Sequence, residues 1–481
     1  MASSPEKNLA AETLDLIIVG AGVSGINCAY RMQTGFPHAK FAIFEARENI
    51  GGTWDLFRYP GVRSDSDLHT YGFSWHPWSH PYPIVEGALI LQYLKQCILQ
   101  HGIDRYIRFK HRVLSMKWSS KEQQWTVLVD NDGLLKEYKA PFVILGTGFY
   151  DYENPRHATI PGIENFKGKV IHPQFWPEDF DYSGQRMAII GSGATAVTLL
   201  PSLAKAAGRV TMVQRSPTYT LSIKNRDSGP PWMRKYLRLW YAFLFYFTVL
   251  YCHFCPSHAR NLIRKSAIRQ LPKSVDVDKH FTPRYKPWDQ RLCFAPDGDF
   301  YEAFHDPKTR VVTGRIKQVT EHAIEMEDGE VIDADVIVTA TGLRMVLGGK
   351  IDITVDGEKV EWGDRVVWNR SMLQDVPNMF FVVGYTNFTW TIGADRTALI
   401  LIRLLKFMGS CGAKVATPRV PKDANLSYHT YWPLTSTYSR EAEGLLPKYG
   451  NFGPWKPRHN PAVDYVNARW CDITAGLHLS S

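Results

Sequence analysis

Seven cysteines are scattered along the 481 residues without framework spacing, and the odd number leaves at least one unpaired. A disulfide scaffold is therefore excluded and a reducing compartment fits. The start, MASSPEKNLAAETLD, lacks the basic opening, apolar run and small-residue cleavage site of a signal peptide, so a cytoplasmic chain is expected. No block of like charge marks a nucleic-acid arm, and no repeat of solenoid length recurs. Cys252-His-Phe-Cys255 has no matching partner pair, so no metal site is expected and both cysteines read as core residues. What remains is an ordinary folded composition, 44% hydrophobic and 21% charged. The length exceeds the roughly 250–300 residues that one core holds, so two or three domains are expected. The net charge of +9 suits an anionic small-molecule ligand, and a phosphate group fits better than nucleic acid.

A short branched apolar run, Leu14 to Val19, enters Gly20-Ala-Gly22-Val-Ser24-Gly25, and the next stretch, Ile26 to Met32, has helical character. A second strand candidate, Phe41 to Phe44, ends on Glu45, twenty residues after Gly25. This is the βαβ context of a dinucleotide fingerprint. Gly20 serves the tight turn, Gly22 the approach of backbone to a pyrophosphate, Gly25 the packing of helix on strand, and Glu45 the ribose hydroxyls.

The unit recurs. Met187 to Ile190 leads into Gly191-Ser192-Gly193-Ala194-Thr195-Ala196, then a helix through Ala207 and a strand, Val210 to Val213. Here the strand ends on Gln214-Arg215-Ser216, and an arginine pairs with a ribose 2′-phosphate where a carboxylate would repel it. The first site reads as FAD or NAD and the second as NADPH. The runs Phe142 to Gly148 and Asp335 to Gly342 mark where the chain leaves one dinucleotide domain and returns. The expected architecture is α/β: two Rossmann-like dinucleotide-binding domains, the NADPH domain inserted in the FAD domain, with a helical insertion. Boundaries fall at 1–150 and 336–481 for the FAD domain with its C-terminal tail, 151–216 and 297–335 for the NADPH domain, and 217–296 for the insertion.

Leu239 to Phe254 is sixteen residues without Asp, Glu, Lys or Arg, flanked by Arg234, Lys235, Arg238, Arg260 and Arg264. As a helix it would span about 24 Å, short of the ~30 Å hydrocarbon thickness. A buried or lid helix is one reading, and a peripheral membrane contact through aromatic and basic residues is the other.

Gly51-Gly52-Thr53-Trp54 continues through Tyr59-Pro60-Gly61 to Asp65, a segment that would run from the pyrophosphate toward the reacting ring and leave Asp65 near it. Between the domains lies Phe166-x-Gly168-x-x-x-His172-x-x-x-Trp176-Pro177. With two nucleotide folds around them, these patterns resemble the class B flavin monooxygenases, and specifically the Baeyer–Villiger monooxygenases. The first matches that family's GGxWxxxxYPGxxxD and the second its FxGxxxHxxxW fingerprint. Further segments, HPQFWPEDFDY, IGSGATAVTL, QRSPTY, PWDQRLC and VGYTN, are similar to the ethionamide-activating subgroup, so the resemblance spans nearly the whole chain.

The resemblance implies FAD, NADPH and molecular oxygen as co-substrate, a flavin C4a-peroxide, and insertion of oxygen into a ketone to give an ester or lactone, with a bulky apolar small molecule as the expected partner. It places Arg291, within the Gln-Arg-Leu segment, over the flavin, and Tyr71 and Val113 against FAD. A fixed guanidinium would keep the oxidant anionic, and Asp65 would hold Arg291 in place. The bland reading of Asp65 is an ion pair with Arg63. His172 and Trp176 are expected to couple domain movement to NADPH, and Trp390 to lie near the flavin. A sulfur- or nitrogen-oxygenating enzyme is the rival within the family, and a non-catalytic nucleotide-binding flavoprotein at a membrane is a remoter one. No CxxxxC follows the first glycine loop, which excludes a flavin disulfide reductase.

Overall fold

The computed structural model describes residues 11–227, 236–385, 388–421, 424–432, 437–457 and 460–481. The first ten residues, the basic flank Arg234 and Lys235, and Thr386-Asn387 of VGYTN lie outside the described residues.

Two parallel sheets organise the chain. In the first, Met379–Phe381, Phe142–Leu145, Leu16–Val19 and Phe41–Phe44 lie side by side in that order. Their branched and aromatic residues are buried at every position except Phe142, as strands covered on both faces require. Alternation splits one apolar run between two cores. Leu16 and Ile18 pack toward helices Val23–Gly35 and Trp390–Cys411, while Ile17 and Val19 face an antiparallel sheet carrying Val113, Trp125 and Val127.

The second sheet runs Thr309–Thr313, Arg209–Gln214, Arg186–Ile190, Val336–Thr339, Lys169–Ile171, all parallel. Met187 and Ile189 face helix Ala194–Ala204, and Ala188 and Ile190 face a three-stranded antiparallel layer. One boundary moves: Val336–Thr339, expected to open the returning half of the first domain, completes this second sheet between Arg186–Ile190 and Lys169–Ile171. The chain leaves the second domain only after Thr339.

The insertion is closed at its neck by Thr220–Ile223 pairing in parallel with Cys293–Pro296. Between them run helices Leu237–Phe254, Pro256–Gln270 and Val277–Phe281. The reading of Leu239–Phe254 as a buried helix does not hold, because only Leu237 and Cys252 of the eighteen helical residues are buried. Cys255 is likewise exposed, so the core reading holds for Cys252 alone.

Candidate active site

Each glycine loop is set by what a side chain would meet. Gly20 has φ +98°, and a Cβ there would lie 2.8 Å from the Gly146 carbonyl oxygen; one at Gly25 would lie 1.8 Å from the Gly20 oxygen. In the second loop Gly191 has φ +137° with the Ala340 oxygen 2.2 Å from its would-be Cβ, whereas a Cβ on Gly193 would meet nothing within 4 Å. Gly193 thus leaves bare backbone facing open space. Helices Val23–Gly35 and Ala194–Ala204 begin at Gly22 and Gly193 with neither a side-chain cap nor an acidic residue in the first turn. Their free N–H groups and positive dipole ends fit diphosphates. On these observations the loops fit two dinucleotides.

Glu45 is buried, with Oε2 accepting from the Ala21 N–H at 2.7 Å and Oε1 from the Arg47 N–H at 3.0 Å. Burial pushes its pKa up and these backbone bonds oppose the rise. The carboxylate therefore shapes the first loop itself, and each oxygen keeps a second lone pair for a ribose hydroxyl. Ser24 sits buried in the first helical turn, where its Oγ accepts from Trp390 Nε1 at 2.8 Å, and Trp390 stacks on Phe149.

The segment after the first loop is a strut between domains. Gly52 lies against Gly22, a Cβ on Gly52 coming 3.5 Å from the Gly22 Cα, and Thr53 Oγ1 is 3.3 Å from the Tyr152 hydroxyl. Trp54 Nε1 donates to the Tyr71 hydroxyl at 2.6 Å. Tyr59 is buried in the second domain's core beside the second loop, and burial pushes its phenol up to about 12. Gly61 (φ +76°) presses on the second domain's helix, leaving 2.2 Å between a Cβ and Ser202 Oγ. Arg63 is paired with Asp299, so the ion pair weighed between Asp65 and Arg63 is not formed. Asp65 Oδ1 instead accepts from Arg291 at 3.0 Å, both side chains about two-fifths exposed (39% and 40%).

Asp65 and Arg291 open into a cleft of about 850 Å³ that is also lined by Gly191 to Thr195 and by Arg215. The structure thus brings together the ion pair, the second glycine loop and the 2′-phosphate candidate. Ser192 lines it too, its Oγ donating to the Ser216 carbonyl at 2.9 Å. Gln214 does not line it: its amide donates inward to the His280 carbonyl and Thr313 Oγ1, because the last residue of a buried strand points into its own domain. Ala196, in the first turn of helix Ala194–Ala204, faces that domain's core. Neither Tyr71 nor Val113 lines this cleft; Tyr71 packs against the core of the first domain, and Val113 belongs to its antiparallel layer.

Arg156 is a cleft residue that no motif announces. It donates to the Thr341 carbonyl and grips Glu441 through two nitrogens, while Arg215 reaches Thr437 at 3.4 Å. Chain segments about 220 to 285 residues apart meet there, a distance at which local pattern carries no signal.

The linker fingerprint holds the crossing between domains. Phe166 is buried, and Gly168 leaves 2.3 Å between a Cβ and the Asp335 oxygen. Burial lowers the His172 pKa, keeping it neutral. Its Nδ1 accepts from the Gln174 N–H, so Nε2–H donates to the Gly342 carbonyl at 3.3 Å on the returning segment. Gln174 donates to the Asp151 carbonyl on the outgoing one, and the two segments pair at Tyr150 and Met345. Trp176 is buried edge-on to Phe180 and Tyr182.

Residues 14–348 match the model of a family described as FMO-like, flavin-binding monooxygenase-like. The chain is 42% identical to the FAD-containing monooxygenase EthA of Mycolicibacterium smegmatis over 98% of this chain and 97% of that one. Among solved structures, the open crystal structure of cyclohexanone monooxygenase superposes with a TM-score of 0.77 at 21% identity, covering 98% of this chain and all of that one. OTEMO in complex with FAD and NADP gives a TM-score of 0.70 at 22% identity over 85% of this chain and 88% of that one. The last two carry the fold.

Proposed function

The chain belongs to the flavin-binding monooxygenase-like family, and from that premise we propose that it is an FAD- and NADPH-dependent Baeyer–Villiger monooxygenase acting on a bulky apolar ketone. The balance is ketone, O2, NADPH and a proton in; ester or lactone, NADP⁺ and water out. The observation that carries the reading is the Arg291–Asp65 pair, open to the same cleft as the second glycine loop and Arg215. The similarity to cyclohexanone monooxygenase and to a structure holding FAD and NADP supports it.

Bound at the two loops, FAD and NADPH supply hydride transfer and oxygen activation. The rest is protein. The first loop, with Gly20, Gly22, Ser24, Gly25 and Glu45, takes the FAD diphosphate and ribose; Gly52, Thr53 and Trp54 continue along it. Gly191 to Thr195 hold the NADPH diphosphate, and Arg215 selects its 2′-phosphate by a charge-assisted pair. Arg291 presents a permanent, planar cation to the negative charge that develops on the carbonyl oxygen as the new C–O bond forms, and Asp65 fixes its direction. Tyr59 and Gly61 pack the strut carrying Asp65 against the helix that follows the NADPH loop, so dinucleotide binding is felt at the ion pair. His172 and Gln174 hold the crossing segments in register while the domains close and exclude water.

The test is product analysis with a bulky ketone and, in parallel, a bulky sulfide, for wild type and Arg291→Ala. Wild type yields about one ester per NADPH, and Arg291→Ala keeps its FAD and consumes NADPH but releases hydrogen peroxide instead of ester. Unchanged ester formation in the variant, or oxygenation of the sulfide alone by wild type, contradicts the proposal.

A further inference from the structure

Helix Leu237–Phe254 leaves an apolar face uncovered. Leu239, Trp240, Phe243, Leu244, Phe247 and Phe254 are 47–74% exposed, and their spacing puts them on one side of the helix. The other side is fastened to the protein. Arg238 donates to the carbonyls of His69 and Thr70, Tyr241 donates to Asp227, and Phe245 packs on Trp288, three residues before Arg291. Eighteen residues rise about 27 Å, short of a ~30 Å hydrocarbon layer, and the fastened face rules out spanning.

Two neighbours extend the face. Helix Pro256–Gln270 follows at Cys255 and exposes Leu262, Lys265, Ile268 and Arg269 together. Helix Pro461–Trp470, whose cap residue Asn460 bonds the Tyr246 hydroxyl at 3.1 Å, exposes Val463, Tyr465, Val466 and Trp470 beside Arg469. The outward faces of the three helices carry no carboxylate. Pro256–Gln270 contains none at all, Leu237–Phe254 contains none, and Asp464 of the third is buried. Apolar patches of this breadth mark interaction surfaces, and an aromatic face that carries Lys265 and Arg269, with the nearby Asp278 carboxylate already paired to Arg264, is complementary to a negatively charged, apolar layer.

We propose that this three-helix face docks flat on an anionic bilayer surface, with Trp240, Phe243 and Phe247 entering the interface and Lys265 and Arg269 meeting lipid phosphates. The inference stands apart from the proposed reaction, since it uses none of the cleft residues.

The test is co-sedimentation of the FAD-loaded full chain with phosphatidylcholine vesicles and with vesicles mixed with phosphatidylglycerol. Wild type pellets with the mixed vesicles and much less with phosphatidylcholine, and the difference fades in 1 M salt, where the screening length falls to about 3 Å. Combined Trp240→Ser, Phe243→Ser and Phe247→Ser, and separately Lys265→Glu with Arg269→Glu, each lower partitioning by about tenfold or more while thermal midpoint and NADPH oxidation stay at wild-type values. Three results overturn the proposal: wild type stays in the supernatant, the variants pellet as wild type does, or the serine variant abolishes a concentration-dependent dimer while vesicle binding is nil. The last would make a second copy of the chain the occupant.

Discussion

Replacing Gly193 by alanine separates cofactor binding from folding in a way the geometry makes quantitative. Gly193 has φ −78° and ψ −174°, ordinary extended backbone for alanine, and its new Cβ would meet nothing within 4 Å. Alanine gains about 0.4–1 kcal/mol by narrowing the unfolded ensemble. It loses about as much as a poorer helix N-cap than glycine. The thermal midpoint should therefore move by less than about 4 °C. The open space, however, is where a diphosphate would approach bare N–H groups, and the methyl group fills it. Losing one charge-assisted hydrogen bond of about 1.5–3 kcal/mol raises the NADPH dissociation constant roughly ten- to a hundredfold. FAD content should not change, since this loop belongs to the second sheet. Gly191→Ala is the contrast: φ is +137° and the Ala340 oxygen lies 2.2 Å from the added carbon, so the second domain should fail to form. The assay is NADPH titration by anaerobic flavin reduction, with thermal unfolding and flavin absorbance alongside. Unchanged NADPH affinity in Gly193→Ala, or a large loss of its stability, would show that Gly193 does not face the diphosphate.

Three further outcomes follow from other contacts. Arg215→Ala should raise the KM for NADPH by about tenfold or more and leave that for NADH untouched, because only the 2′-phosphate is lost as a partner; equal effects on both would contradict the assignment. Arg238→Ala strips the His69 and Gly72 carbonyls of their donor, and at about 1–3 kcal/mol for each acceptor left unpaired the thermal midpoint should fall by more than about 4 °C, where an unchanged midpoint would count against the anchoring role. Burial lowers the His172 pKa, so below about pH 6.5 the unfolded state binds a proton that the folded state refuses, and stability is lost as pH falls. His172→Gln should flatten the fall in thermal midpoint from pH 7 to 5.5, with His76 and His280, shifted the same way, retaining part of the slope; an identical slope in the variant would refute this.

How much of this was legible in the chain depended on whether the cause was local. The glycine loops were, because a turn, a close approach and a helix start are met within six residues; Gly25 is confined by its own loop at Gly20, although Gly20 and Gly191 are confined by distant backbone at Gly146 and Ala340. The pairing of Asp65 with Arg291 was legible only through resemblance, since 226 residues separate them and nothing in either segment names the other. Arg156 with Glu441 went unseen for the same reason. Gln214 misled because a motif position says which residue ends the strand and not which way its amide turns. The Leu239–Phe254 stretch misled differently. Apolar composition implies burial only when other elements cover both sides, and here the covering elements reach one side alone.

The proposed reaction inserts one oxygen atom from O2 into a carbon–carbon bond beside a ketone. It is tested most directly by turning over the FAD-loaded enzyme with NADPH and a bulky apolar ketone under ¹⁸O2 and weighing the product. The expected product is an ester or lactone carrying a single heavy oxygen, formed in step with NADPH consumed. NADPH oxidation with recovery of unchanged ketone across a panel of ketones, alongside labelled sulfoxide from a sulfide, would contradict it.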